Sequence, residues 1–344
     1  MSNTRPKTNA TLAARVTTAL AVGVLSATAM GGCSAAKPNA APAPTTATTA
    51  VPTVAATNPL TGVGGLPRGP VIAVKMDDTA DGRPSKGVDK ADVIYIEEVE
   101  GGLSRMVAIF ASAKPIVRAV RSIRSSDMEL LGQYGRIIVV ASGGKLSSLK
   151  DLDRSTLHST INDRRQVGFV RDSSRPAPYN LVADLAKVSK AIKADGVRNV
   201  GFTWAVADPR LATAKSAVTV STRVGTTRVG FVWDPKLASY VRTLGGRRIL
   251  TASGAPVAKP NVLVQFCEIK ADRSDVDVNR VPTMFTKTVG AGKVVLFRGG
   301  KRIVGKWSRP SIAAPTTFTD AAGKPLLFAP GGTFVALVRP GTPA

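Results

Sequence analysis

Eight charged side chains fall between residues 97 and 124; besides Lys114 they are Glu97, Glu98, Glu100, Arg105, Arg118, Arg121 and Arg124. Two kinds of chemistry need such residues close together. Guanidinium forks beside hydroxyls, here Arg121, Ser122 and Arg124, can hold a carboxylate or a phosphate. Two carboxylates across a cleft can act as acid and base on a glycosidic bond, and Asp77 with Glu100 are the candidates. Arg118, Arg121 and Arg124 recur every third residue. An extended segment would throw them to alternate sides, whereas a helical or 3₁₀ turn would align them. Ser142-Gly143-Gly144-Lys145 follows an apolar run and precedes a helical pattern. Such a turn presents backbone N–H groups where an anion can bind, and Gly143 and Gly144 join the candidate set. It is not a Walker A loop, because the first glycine and the Ser/Thr after Lys145 are missing. A second polar loop, Arg171 to Asn180 (RDSSRPAPYN), adds Arg171, Arg175 and Asn180, and Asn180 is placed to cap a following helix.

These residues need elements to hold them. Val93 to Ile96 and Met106 to Phe110 are apolar runs on either side of Gly101-Gly102, the pattern of a β-hairpin. With the two glycines as a two-residue loop, Glu98 faces Arg105, Ile96 faces Val107 and Ile94 faces Ile109. That register puts Glu98, Glu100 and Arg105 on one face at the tip and Glu97 on the other. Val71 to Met76 and Arg136 to Ala141 are short buried strands, and Ser126 to Tyr134, Leu146 to Leu152 and Asn180 to Ala194 are helical patterns. After Ala205 short strand-like runs alternate with turn signals. The expected architecture is an α+β or α/β N-terminal domain with a buried mixed sheet over residues 59–200. A smaller, mainly β domain follows over 201–344.

The first 58 residues read as a targeting device. Arg5, Lys7 and Arg15 precede an apolar stretch from Val16 to Met30, too short to span a bilayer and typical of a signal peptide over residues 1–32. Gly31-Gly32-Cys33-Ser34 matches a bacterial lipobox, although Met30 stands where Leu or Val is commoner. Cys33 is therefore the expected lipidation site. An Ala/Pro/Thr-rich tether completes residues 33–58. The expected location is the outer face of the cell membrane, held by the lipid. The formal net charge is +24, so loss of the three basic residues in 1–32 leaves 24 − 3 = +21. From Gly201 onward 21 basic residues oppose 7 acidic ones, or 21 − 7 = +14. For an exported chain this charge suits anionic wall polymers or lipid head groups, and no nucleic acid is expected.

Several chemistries lack their residues. His158 is the only histidine, so neither a His-dependent triad nor a multi-His metal site is expected. GxSxG and CxxC are missing, and no cofactor is expected. Cys267, in the apolar run VLVQFCEI, reads as a buried structural thiol.

Taken together, NPLTG (Asn58–Gly62), ADVIY (Ala91–Tyr95), VEGGLSR (Val99–Arg105), VRSIR (Val120–Arg124) and RDSSRPAPYN resemble the YerB-like lipoprotein family, domain of unknown function 3048. NVLVQ (Asn261–Gln265) and TTFTDAAGKPLLFAPGGTF (Thr316–Phe334) extend the resemblance through the second half. The resemblance implies an N-terminal α/β domain, a smaller C-terminal one, and importance for Glu100, Gly101, Gly102, Arg105, Arg121, Ser122, Arg124, Gly143, Gly144, Arg175 and Asn180. Tyr179, and the region of Ala141 and Ser142, stand where the family often has histidine. Binding survives that loss more easily than proton chemistry, so the sequence leans away from an enzyme. The expected role is binding of an anionic envelope ligand in an arginine-rich cleft. Polymer hydrolysis by paired carboxylates and a basic scaffold at the membrane surface are the alternatives.

Overall fold

A computed structural model describes residues 57–276 and 280–344. Cys33, the signal segment and most of the tether lie outside the described residues. Every described element belongs to one compact unit, Val54–Ala344.

The expected buried mixed sheet is present, in a mostly β chain with few helices. Strand β1 (Ile72–Asp77), strand β2 (Val93–Glu98) and strand β3 (Ser104–Phe110) form its antiparallel centre. Strands Ile138–Ala141 and His158–Ile161 extend it in parallel beyond β1. On the other side, β2 pairs in parallel with Thr333–Val338, followed by Asn261–Phe266, Gly290–Arg298 and Lys301–Arg309. One sheet therefore draws strands from both halves of the sequence. A five-stranded antiparallel sheet, which includes Thr219–Val224, Thr227–Asp234 and Ser239–Leu244, packs on it.

Both faces of the central sheet are covered, which explains continuous apolar runs in place of alternation. Ile72, Val74 and Met76 of β1 join Ile94 and Ile96 of β2 in one core. Ala73, Val93, Tyr95, Val107 and Ile109 point the other way, toward helix α1 (Ser125–Leu131). Helix α2 (Leu146–Arg154) follows the Gly143-Gly144 turn.

The hairpin register differs from expectation by one residue. Glu97 faces Arg105, Glu98 faces Ser104 and Ile96 faces Met106. Five residues, Val99 to Leu103, separate the last opposed pair, and the Val99 N–H donates to the Leu103 carbonyl. Both glycines adopt positive φ, 64° and 72°, in a 3₁₀ turn that starts at Glu100. The two-residue loop was thus too short a reading. Helix prediction also fails at Asn180: Leu181–Asp184 is a strand between Ile116–Arg118 and Phe169–Arg171, and Asp184 caps a short helix, Leu185–Ala191.

Candidate functional site

The one-residue shift exchanges the faces of the hairpin glutamates. Asp77 of β1, Arg105 of β3 and Glu97 of β2 lie in one row across the sheet, on the face toward α1. Glu98 lies on the opposite face, where Arg339 holds it with Nε and Nη2 at 3.0 and 2.9 Å. Glu98 therefore does not belong to the candidate cleft. Arg339 follows the strand Thr333–Val338, so this pair fastens the end of the chain to the hairpin.

Segment 118–124 is extended, not helical. The Arg121 N–H donates to the Lys75 carbonyl, and the Ile123 N–H donates to the Gly143 carbonyl. The arginines consequently go to different partners. Arg118 pairs with Asp172 in the polar loop. Arg121 donates to Asp77 Oδ2 at 2.7 Å and lies 5.2 Å from the centre of the Tyr179 ring. Arg124 embraces Glu100 through Nε and Nη2, the latter 2.6 Å from Oε2. Charge-assisted forks of this kind fix both partners. Burial pushes the Glu100 carboxyl up, but the hydrogen bonds and charge of Arg124, with help from Arg105, hold it below the ordinary value.

These pairs border a cleft of about 540 Å³ whose walls include Glu100, Leu103, Arg105, Arg121, Ser122 and Gly144. Arg105 is half-buried there. Its Nη1 donates to the Ser122 carbonyl at 3.3 Å, and among the described residues no carboxylate lies within ion-pair distance of it. Burial, then the charges of Arg124 and Arg121, push its pKa down to about 9. A guanidinium stays protonated at neutral pH even so; desolvation is the largest cause of the shift, and the charges of Arg124 and Arg121 add to it while Glu100 and Asp77 oppose it. Four basic side chains, Arg105, Arg121, Arg124 and Lys145, line the cleft against one carboxylate in its wall, Glu100.

Gly144 lines the cleft, whereas Gly143 packs against Asp163, whose Oδ2 would lie 1.8 Å from an added Cβ. Gly143 thus permits a close approach beside the site. Ser122 Oγ is 3.1 Å from Ser142 Oγ. The polar loop forms a separate cluster. Arg171 Nη1 donates to Asn180 Oδ1 at 2.7 Å, and Arg175 donates to the carbonyls of Asp81 and Arg83. Among the described residues, the Tyr179–Arg121 contact links it to the cleft.

Behind the cleft is a group the sequence reading missed. Lys75 Nζ lies 2.7 Å from Asp127 Oδ1 and also contacts Glu97, and all three side chains are 1% exposed. Asp127 Oδ2 accepts the Arg124 N–H at 2.7 Å, so this network anchors the start of α1. Burial outweighs Asp127 and pushes Lys75 down to about 8. A lone lysine inside the apolar run VIAVKM was the available signal. On the other face, buried Asp78 pairs with Arg242 and Arg83 and accepts from Ser104 Oγ at 2.6 Å. Cys267 is 1% exposed, as its apolar surroundings predict, and burial pushes its thiol pKa up. No cluster of three or more metal-ligating side chains occurs among the described residues.

Comparison with known proteins agrees with this architecture. The family described as "Protein of unknown function (DUF3048) N-terminal domain" matches residues 60–198, and its C-terminal domain matches 218–335. The chain is 27% identical over 283 residues to "Putative lipoprotein YerB" of Bacillus subtilis (strain 168), which covers 78% of this chain and 80% of that protein. The crystal structure of YerB from Bacillus subtilis superposes with a TM-score of 0.70 at 23% identity, over 82% of this chain and 96% of that one, a likeness of fold. With both domains matched in order along one chain, the protein belongs to the DUF3048 family.

Proposed function

We propose that this chain is an exported lipoprotein of the cell envelope, and that its hairpin cleft binds an anionic group on Arg105. The observation that carries the reading is Arg105 itself. It stands between two arginine–carboxylate pairs, faces a cleft of about 540 Å³, and has a backbone carbonyl as its hydrogen-bond acceptor. A carboxylate or phosphate entering there would meet one guanidinium without a carboxylate and two more that are already oriented. Tyr179 over Arg121 adds an aromatic edge suited to a ligand with an apolar or sugar ring.

Binding is favoured over polymer hydrolysis by the state of the two candidate carboxylates. Asp77 is taken by Arg121, and Glu100 by Arg124. A general acid needs a raised pKa, and Glu100 is held low.

The test is calorimetric titration of the purified chain with inorganic phosphate, glycerol 3-phosphate and muramic acid, alongside Arg105→Gln. Saturable binding of at least one probe, weakened on the order of tenfold or more in the variant, is expected. No binding to any probe, or equal binding by the variant, would refute the reading. Acylation is tested separately: Cys33→Ala should move the protein from the membrane to the soluble fraction.

A further inference from the structure

The hairpin Gly290–Arg298/Lys301–Arg309 carries an arrangement that folding alone disfavours. Lys293 stands directly opposite Lys306. Four residue pairs along the ladder, Arg302 stands opposite Phe297 on one side and opposite Lys215 on the other. Alternate residues share a face, so Lys215, Lys293, Arg302 and Lys306 all project from one side of this end of the sheet. Between them lies Val304, 51% exposed, over Val295. Like charges set directly across from each other destabilise a strand pair. Among the described residues, none of these four cations pairs with an Asp or Glu side chain. Arg302 donates to the backbone oxygen of Ala344 at 3.3 Å, and Lys293 lies 5.5 Å from the Phe266 ring centre. Glu268, the acid that borders the same trough of about 650 Å³, is engaged by Lys270 and Lys287.

We propose that this face docks on a membrane surface rich in anionic phospholipid. Four basic side chains around an exposed valine match an array of phosphates above an apolar layer: aliphatic stems lie along the apolar surface and the charged ends reach the head groups. A surface of negative charge removes the repulsion within both like-charge pairs. The excess of +14 in the second half of the chain supplies the longer-range attraction. This face shares no residue with the arginine cleft, so the two sites stand or fall separately.

The experiment is flotation of the compact unit Val54–Ala344, which has no lipid anchor, with vesicles of phosphatidylcholine alone or mixed with phosphatidylglycerol. Partition into the mixed vesicles is expected, falling as salt rises. Lys293→Gln/Lys306→Gln should weaken it on the order of 30-fold, from about 1 kcal/mol per basic residue at an anionic surface. The control is Arg223→Gln/Arg228→Gln, which removes another exposed, directly opposed pair from the five-stranded sheet. It should change partition less than threefold. Melting curves of both double variants check that they fold, and relief of repulsion should leave the first no less stable than the parent chain. Failure to float with the mixed vesicles, or equal loss in the two double variants, overturns the proposal. So does tighter, Lys293/Lys306-dependent binding of soluble poly(glycerol phosphate), which would assign the face to a wall polymer.

Discussion

Replacing Lys75 with methionine would remove the cation that two buried carboxylates share. Methionine keeps most of the length and apolar bulk of the lysine stem, so packing changes little and the loss is electrostatic. Removing one partner of a buried ion pair costs about 3–5 kcal/mol, because the remaining charge is stranded. Asp127 would keep the Arg124 N–H, so Glu97 takes most of the penalty. At about 2–4 °C per kcal/mol for a chain of this size, Tm should fall by roughly 10 °C. The pH dependence separates this account from a packing defect. In the parent chain Lys75 has a folded pKa of about 8 against an ordinary 10.5. The unfolded chain binds more protons between those values, so the contribution of this group to stability rises with pH across that window. In the variant, a buried carboxyl without a cation has a folded pKa above its unfolded one. The folded chain then binds more protons, and stability is recovered as pH falls through the raised folded pKa. Urea unfolding followed by tryptophan fluorescence, between about pH 5 and pH 10.5, measures both slopes. A variant within about 1 kcal/mol of the parent at neutral pH, or one that only loses stability on acidification, would refute the role assigned to Lys75.

Other buried charges give further expectations. Glu100→Gln strands Arg124 and should cost about 3 kcal/mol at neutral pH. Because Glu100 is held low in the folded chain, its contribution is present above the unfolded carboxyl pKa and lost as pH falls through the folded one. The penalty measured by denaturant titration should therefore shrink toward acid. Arg242→Met should cost about 3 kcal/mol by the same assay, since Asp78 keeps Arg83 and Ser104 but loses the more buried of its two cationic partners. Cys267 should stay unreactive toward a thiol reagent in the native chain and react fully in denaturant, because burial both shields the thiol and raises its pKa.

The hairpin was legible from its two apolar runs and its glycines, but its register was not. Gly101-Gly102 permits either a two-residue turn or a wider 3₁₀ turn, and a difference of one residue sends every side chain to the other face. That ambiguity moved Glu98 out of the cleft and brought Glu97 behind it. The arginines of VRSIR were legible as a cluster with a charge to place. Their partners were not, because Arg121 reaches back to Asp77 and Arg124 to Glu100, and no local pattern records such contacts. Asn180 carried a good capping signal, yet pairing with two neighbouring strands overrode it. Lys75 was visible in VIAVKM as a charge among apolar residues. Only the fold could supply the two carboxylates that make its burial tolerable.

The pairing of β2 with Thr333–Val338 also bears on when the molecule can fold. Val93 sits beside Thr333, a separation of 333 − 93 = 240 residues, and this contact lies in the middle of the sheet. Such a high contact order slows folding, because a long loop must close before the contact yields anything. Until the last strand arrives, β2 and Asn261–Phe266 each present an open apolar edge to other chains. A chain threaded through a membrane N-terminus first would complete its central sheet only after nearly all of it had emerged, and until then would depend on chaperones to keep those edges apart.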